Sequence, residues 1–162
     1  MASRAEVRER VLSLLASAEL LIPARGVPDL APMADHPDVP EWHDFEWKVW
    51  EFGEQIRRLL AQHPALRKDQ GLQEAFVRIS TDGKAKRGRQ SFVMLLGFKC
   101  CQVHSATLAT QIADPTVTGH VILTLTKMRA DGFADIVRPY VDSNITWIRN
   151  EAKRYMARYN GA

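Results

Sequence analysis

A chain of 162 residues with 46% apolar and 25% charged side chains has the balance of a soluble globular domain and enough length to bury a substantial core. That balance excludes extended disorder, and no apolar run approaches the roughly 20 residues a bilayer-spanning helix needs, so no membrane partner is expected. The net charge of +3 is uneven: residues 1–81 hold 10 basic and 13 acidic side chains, residues 82–162 hold 12 and 6, and such a basic half suits either an anionic partner or an ordinary solvated helical surface.

Ser3 and Glu6 stand in the relation of a capping box ahead of the apolar stripe Val7, Val11, Leu14, Leu15, Ala18 and Leu21, which predicts a helix over residues 1–22. Its charged first half, with Arg4, Glu6, Arg8, Glu9 and Arg10, is unlike a secretory leader. Pro23 ends it. The connector 23–40 holds five of the eight prolines, a composition that forbids helix and leaves two outcomes, a strap across the surface or a flexible tether. Pro40 suits the first turn of a following helix that runs to about Gln62. There Trp42, Phe45, Val49, Phe52, Ile56 and Leu59 have the spacing of a buried seam, and Trp47 and Trp50 fall off it. Either the first helix covers that pair, or the pair forms a ligand or partner site.

A shorter helix over 68–80 turns Leu72, Ala75, Phe76 and Ile79 inward and ends at the Asp82-Gly83 turn. Lys84, Lys86, Arg87 and Arg89 then open the next helix. A helix N-terminus already carries partial positive charge, so these cations stand at its unfavourable end. They form either a phosphate or carboxylate site beside free backbone N–H groups, or a solvated helix start with Arg89 tied into packing. A helix from about Gln102 to Ala113 follows. Asp114-Pro115 launches the segment Val117 to Met128, Asp131-Gly132 makes another turn, and Phe133 to Val141 forms a short helix with Pro139 near its end. Asp142 to Thr146 leads into the last helix, whose basic positions are Arg149, Lys153, Arg154 and Arg158, and Asn160-Gly161 makes a natural stop.

Three of these segments share one grammar. GRQSFVMLL, VTGHVILTL and IRNEAKRYM each place an apolar pair at offsets of four and eight, namely Phe92 and Leu96, Val121 and Leu125, Ala152 and Met156. Each stripe is preceded by an aspartate turn (Asp82, Asp114, Asp142), and each turn by another apolar pair. Helix, turn, helix recurs every 29 to 31 residues. Such a period marks a stacked helical array.

DSNITWIRNEAKRYM resembles the second half of a HEAT repeat, in which a turn Asp precedes a Val-Arg-x-x-Ala helix start. DPTVTGHVILTL resembles the same element with Thr118 in the arginine position, and TDGKAKRGRQSFVMLL is similar at Asp82 and Arg89. The resemblance covers about residues 70–159 and implies an all-α, right-handed superhelical array of antiparallel helix pairs with about eight helices, in one domain over 1–162. It further implies that Asp82, Asp114, Asp142, Arg89 and Arg149 form hydrogen bonds linking successive repeats. HEAT proteins are mostly scaffolds, so a protein partner is expected in a groove where Gln73, Arg78, His104, Gln111, Asp135 and Arg138 face outward. The alternatives are nucleic-acid binding through the basic residues of 84–158, or a repair enzyme similar to the HEAT-like alkylpurine DNA glycosylases, whose basic arrays with tryptophans Trp47 and Trp50 faintly resemble. No catalytic carboxylate is matched, and no P-loop, GxSxG, HExxH or dinucleotide fingerprint occurs, so neither catalytic residues nor a cofactor are expected. Adjacent Cys100 and Cys101 rarely meet the geometry of a mutual disulfide. Two free thiols then point to a reducing cytoplasm, and with no further cysteine for Cys100, Cys101 and His104 to join, no metal site is expected.

Overall fold

Helix α1 spans Arg4–Leu21, and its start is fixed by the two reciprocal bonds of the capping box. Glu6 N–H donates to Ser3 Oγ at 3.2 Å, and Ser3 N–H to Glu6 Oε2 at 2.6 Å. Val7, Val11, Leu14, Leu15 and Ala18 are buried along one face, while Leu21 is half-buried. The chain is seen in a computed structural model that describes residues 2–159; the Asn160-Gly161 stop lies outside the described residues.

The proline-rich connector is a strap. Strands β1 (Pro32–Met33) and β2 (His36–Pro40) pair antiparallel, and Glu41 N–H donates to Ala31 O at 2.9 Å. His43 Nε2 lies 2.8 Å from Pro28 O, and Lys86 Nζ donates to Asp29. Pro40 therefore closes a strand instead of opening a helix. Helix α2 (Asp44–Gln62) begins four residues later, where His43 N–H donates to Glu46 Oε2 at 2.8 Å.

The buried face of α2 is also turned from the expected seam. Val49, Ile56 and Leu60 are buried with Glu46, Gly53 and Glu54, whereas Trp42, Phe45, Phe52 and Leu59 are only half-buried. Close backbone approach decides the phase. A Cβ on Gly53 would lie 2.0 Å from Ser91 Oγ, and one on Gly88 2.8 Å from Glu46 O. The helix turns its smallest residue toward the neighbour because a bulky seam would hold the two backbones apart.

Further along come α3 (Gln70–Ser80), a 3-10 segment (Gly83–Arg89), α4 (Gln90–Leu95), a 3-10 segment (Lys99–His104), α5 (Ser105–Ala109), α6 (Thr118–Lys127), α7 (Ala134–Val137), a 3-10 turn (Arg138–Tyr140) and α8 (Thr146–Tyr159). Apart from the ribbon, the described chain is all-α, with eight α-helices. The helix expected over 102–113 is a 3-10 turn plus the short α5, and Pro139 shortens the next helix by opening a 3-10 turn.

Helix α4 packs between α2 and α6, and α6 against α8; α3 lies between α1 and α5. Two rows result; the aspartate turns join α3 to α4, α5 to α6 and α7 to α8, and the strap joins α1 to α2. Phe92, Leu96, Val121, Leu125 and Ala152 are each 0% exposed along the joints of the first row. The one continuous core runs between the rows from Val7 to Tyr155.

Candidate functional site

The basic segment does not open a regular helix. Residues Gly83–Arg89 form a 3-10 stretch broken at Lys86, whose φ of 48° lies in the left-handed region. This break sends successive cations in different directions, and each meets a partner. Lys84 lies 3.7 Å from Asp82, and Lys86 is paired with Asp29 of the strap. Arg87 donates through Nη2 to Pro40 O and Glu41 O, through its backbone N–H to Glu46 Oε1 at 2.9 Å, and its Nε lies 3.7 Å from the same carboxylate. Glu46 is 1% exposed. A buried carboxylate needs such partners, and Arg87 and the His43 N–H supply them. The side chains of Lys86 and Arg87 are only 15% and 12% exposed, so little of this charge faces an incoming anion.

Arg89 is fully buried. Its Nη1 donates to Ser80 O at 3.1 Å and Gln111 Oε1 at 2.8 Å; its Nη2 donates to Thr116 Oγ1 at 3.3 Å and to Asp114. Burial pushes its pKa down from the ordinary arginine value, and the charges of Asp114 and Asp82 push back. Asp114 also accepts from Thr116 N–H at 2.9 Å. The start of α4 is thus bolted to the turn between α5 and α6. Asp82 caps only its own turn, accepting from Lys84 N–H at 3.0 Å. Thr118 occupies the arginine-equivalent place in the next pair and donates to Ile112 O at 2.7 Å and Asp114 O at 3.0 Å. A hydroxyl that short cannot reach the following turn. Asp142 stays exposed, and Arg149 donates to Ser143 O at 2.7 Å within its own pair. Of the five residues the resemblance implies as links, Arg89 and Asp114 join two pairs, while Asp82 and Arg149 bond within their own pairs and Asp142 makes no link among the described residues.

Trp47 and Trp50 are brought together with a third indole. Trp42 stacks on Trp47 with centroids 4.3 Å apart, Trp50 meets Trp47 edge-on at 6.4 Å, and the Arg87 guanidinium lies 5.1 Å from the Trp42 ring. Helix α1 does not close over them: Leu21 at its end lines a groove of about 680 Å³ with Trp47, Trp50 and Phe52, while Trp47 remains 54% exposed. Lys48, Glu51 and Gln55 complete the groove wall.

In the last helix, Arg154 is paired with Glu151 at 2.7 Å, and Lys153 is exposed with no ion pair among the described residues. The outward groove expected along the other row is partly filled. Gln73 is buried, donating to Arg67 O at 2.7 Å and facing His104 Nε2 at 3.1 Å. Arg78 is tied to Glu19 of α1 at 2.7 Å, and Gln111 is taken by Arg89. Cys100 is exposed and Cys101 buried, and burial pushes the Cys101 thiol up to about 12. Among the described residues no group of three or more His, Cys, Asp or Glu could hold a metal, and no helix is long and apolar enough to cross a membrane.

Sequence reasoning missed Glu46 as the organiser of the strap, and it missed the cations Arg57, Arg67 and Lys127 around a second cavity. Glu46 had one local signal, its position three residues after the helix-capping His43; the three cations share no motif, and Lys127 lies 60 residues beyond Arg67. Comparison with family models finds no match, and neither does comparison with curated proteins or with solved structures.

Proposed function

We propose that the chain is a binding module: a right-handed, HEAT-like array of helix pairs that docks a partner protein in the tryptophan groove between the end of α1 and the first half of α2, in a reducing cytoplasm. The observation that carries this reading is Trp47, a large aromatic 54% exposed on the wall of an open apolar groove. Exposed aromatics so clustered mark association surfaces, because burying them on a partner recovers both apolar area and ring contacts. The occupant is a protein segment with one bulky apolar anchor that enters beside Trp47 and Trp50. Its flanking polar groups meet Lys48 and Glu51, one charge of each sign on the wall. The exposed thiol of Cys100 fits a reducing compartment, where it stays unpaired. Duplex DNA is a weaker candidate, since Lys86, Arg87 and Arg89 already hold internal partners.

Selection of binders from a random peptide display library against the whole chain tests the reading. The expected result is peptides with an aromatic or large aliphatic anchor that bind the Trp47→Ala protein at least about tenfold more weakly, while its circular dichroism shows the helical fold retained. Selected peptides that bind Trp47→Ala equally well would overturn the groove assignment. Duplex DNA binding at about 50 mM salt that a Lys153→Glu, Arg154→Glu double variant abolishes would replace a protein partner with a nucleic acid.

A further inference from the structure

A second cavity, of about 370 Å³, opens where the C-terminal ends of α2, α4 and α6 come together. Its wall carries three cations and no acidic residue: Arg57 from α2, Arg67 from the turn after it, and Lys127 from the last turn of α6. Their charges are unequally compensated. Arg57 is paired with Glu54, Nη2 to Oε2 at 2.8 Å. Arg67 and Lys127 have no ion pair among the described residues. The Arg67 guanidinium lies 4.2 Å from the centre of the Phe98 ring, and its Nε is buried without a hydrogen-bond partner. The backbone beneath it is held by two bonds into its carbonyl, from Gln73 Nε2 at 2.7 Å and from Cys100 Sγ at 3.4 Å. Lys127 lies along Gly97, where an added Cβ would stand 3.2 Å from its Cδ. Between the cations the wall is apolar: Ala61 is exposed and Met94 and Phe98 are half-buried, over the buried Leu60 and Leu95.

We infer that this cavity is a binding site for a small phosphate monoester with a flat apolar body. Two uncompensated cations call for two negative charges, and a phosphate monoester carries about 1.5 to 2 of them at neutral pH. The volume falls at the lower end of small-ligand sites, which run from about 300 to 1,000 Å³. The apolar stretch formed by Ala61, Met94 and Phe98 takes the body, and the guanidinium fork and the ammonium take the head. Cations near helix C-terminal ends also offset the helix dipole. That role stabilises the fold but selects no ligand, so binding measurements distinguish the two. The site is separate from the tryptophan groove and stands whether or not that groove binds a protein.

Isothermal titration of the whole chain with phenyl phosphate, inorganic phosphate, phenol and benzoate tests the assignment. Phenyl phosphate should saturate one site at least about tenfold more tightly than inorganic phosphate or benzoate, and phenol should show no saturable binding. Affinity for phenyl phosphate should rise between pH 5 and 7 as its second proton, with a pKa of about 6, is lost. Lys127→Met, a change at an exposed side chain, should weaken phenyl phosphate by about tenfold, and Arg67→Gln by at least as much. Equal affinity for phenyl phosphate and benzoate would overturn the dianion assignment. Binding that Lys127→Met leaves unchanged would overturn the site itself, whatever Arg67→Gln does to the fold.

Discussion

The joint between α4 and α6 and the joint between α6 and α8 share one pattern in the sequence, an aspartate turn before an apolar stripe, and have different chemistry in the structure. At the first, a buried guanidinium spans two helix pairs and is held by Asp114, Ser80, Gln111 and Thr116. At the second, a threonine hydroxyl stays within its own turn, and α8 is held to the end of α6 by the buried Tyr155 hydroxyl, which donates to Ala130 O at 2.7 Å, together with close surfaces: Ala152 at 0% exposure, and Trp147 lying against Gly119, where a Cβ would fall 2.2 Å from the ring. One joint is bolted by a buried charge, the other by a neutral hydroxyl and by shape. An aspartate turn that recurs along a chain does not guarantee a recurring interaction, because the link needs a side chain long enough to cross the gap.

The largest effect should come from cutting the bolt. Arg89→Ala leaves Asp114 and the Ser80 carbonyl without their partner, and the loss of one member of a buried pair costs about 3–5 kcal/mol. Because the Asp114 side chain is 36% exposed and water can reach it, the lower end is expected in urea denaturation. A change under 1 kcal/mol would show that Arg89 fills space without joining the pairs. At the second joint, His120 lies 5.1 Å from Trp147, and burial pulls its pKa down to about 4. The unfolded chain then binds the proton more readily than the folded one between about pH 6.5 and 4, so stability should fall as the pH drops through that window. His120→Gln should flatten the slope, and a slope that survives the change would place its origin elsewhere. Thr118→Val, which removes the shorter of the two hydrogen bonds into the Ile112 carbonyl and leaves the one from the Tyr140 hydroxyl at 3.2 Å, should cost on the order of 1 kcal/mol. The smallest effect belongs to Asp142→Ala, expected within about 0.5 kcal/mol of zero by the same denaturation. A larger loss there would mean that the second joint also depends on its turn aspartate.

The same contrast separates what the sequence made legible from what it hid. The capping box at Ser3 and Glu6, the stripes of α4, α6 and α8 and the aspartate turns are local patterns, and each appears where its spacing places it, except that Met156 in the α8 stripe is only half-buried and Tyr155 is buried beside it. The partners of Lys86 and Arg87 are not local: Asp29 is 57 residues from Lys86, and Glu46 is 41 from Arg87. A cluster of cations in a sequence cannot announce that distant carboxylates will meet it. The phase of α2 was hidden for a related reason, since Gly53 enters the core to admit Ser91, and a seam of large side chains carries no sign of that approach. Trp47 and Trp50 were legible as off-seam residues, but their exposure depends on how far α1 reaches along α2, and periodicity does not encode that. The cavity between Arg57, Arg67 and Lys127 arises from three helix ends meeting in space.

The β1–β2 ribbon has a consequence for how molecules of this protein meet one another. A two-stranded ribbon has two open sides, and on most proteins such a side can recruit an extended segment from a neighbour. Here Pro32, Pro37 and Pro40 lie in or at the ends of the two strands, and a proline has no N–H to offer a third strand. The strap can tie down Lys86 through Asp29 and at the same time remain a poor template, so crowded copies of the chain have no easy route to growing a shared sheet from it.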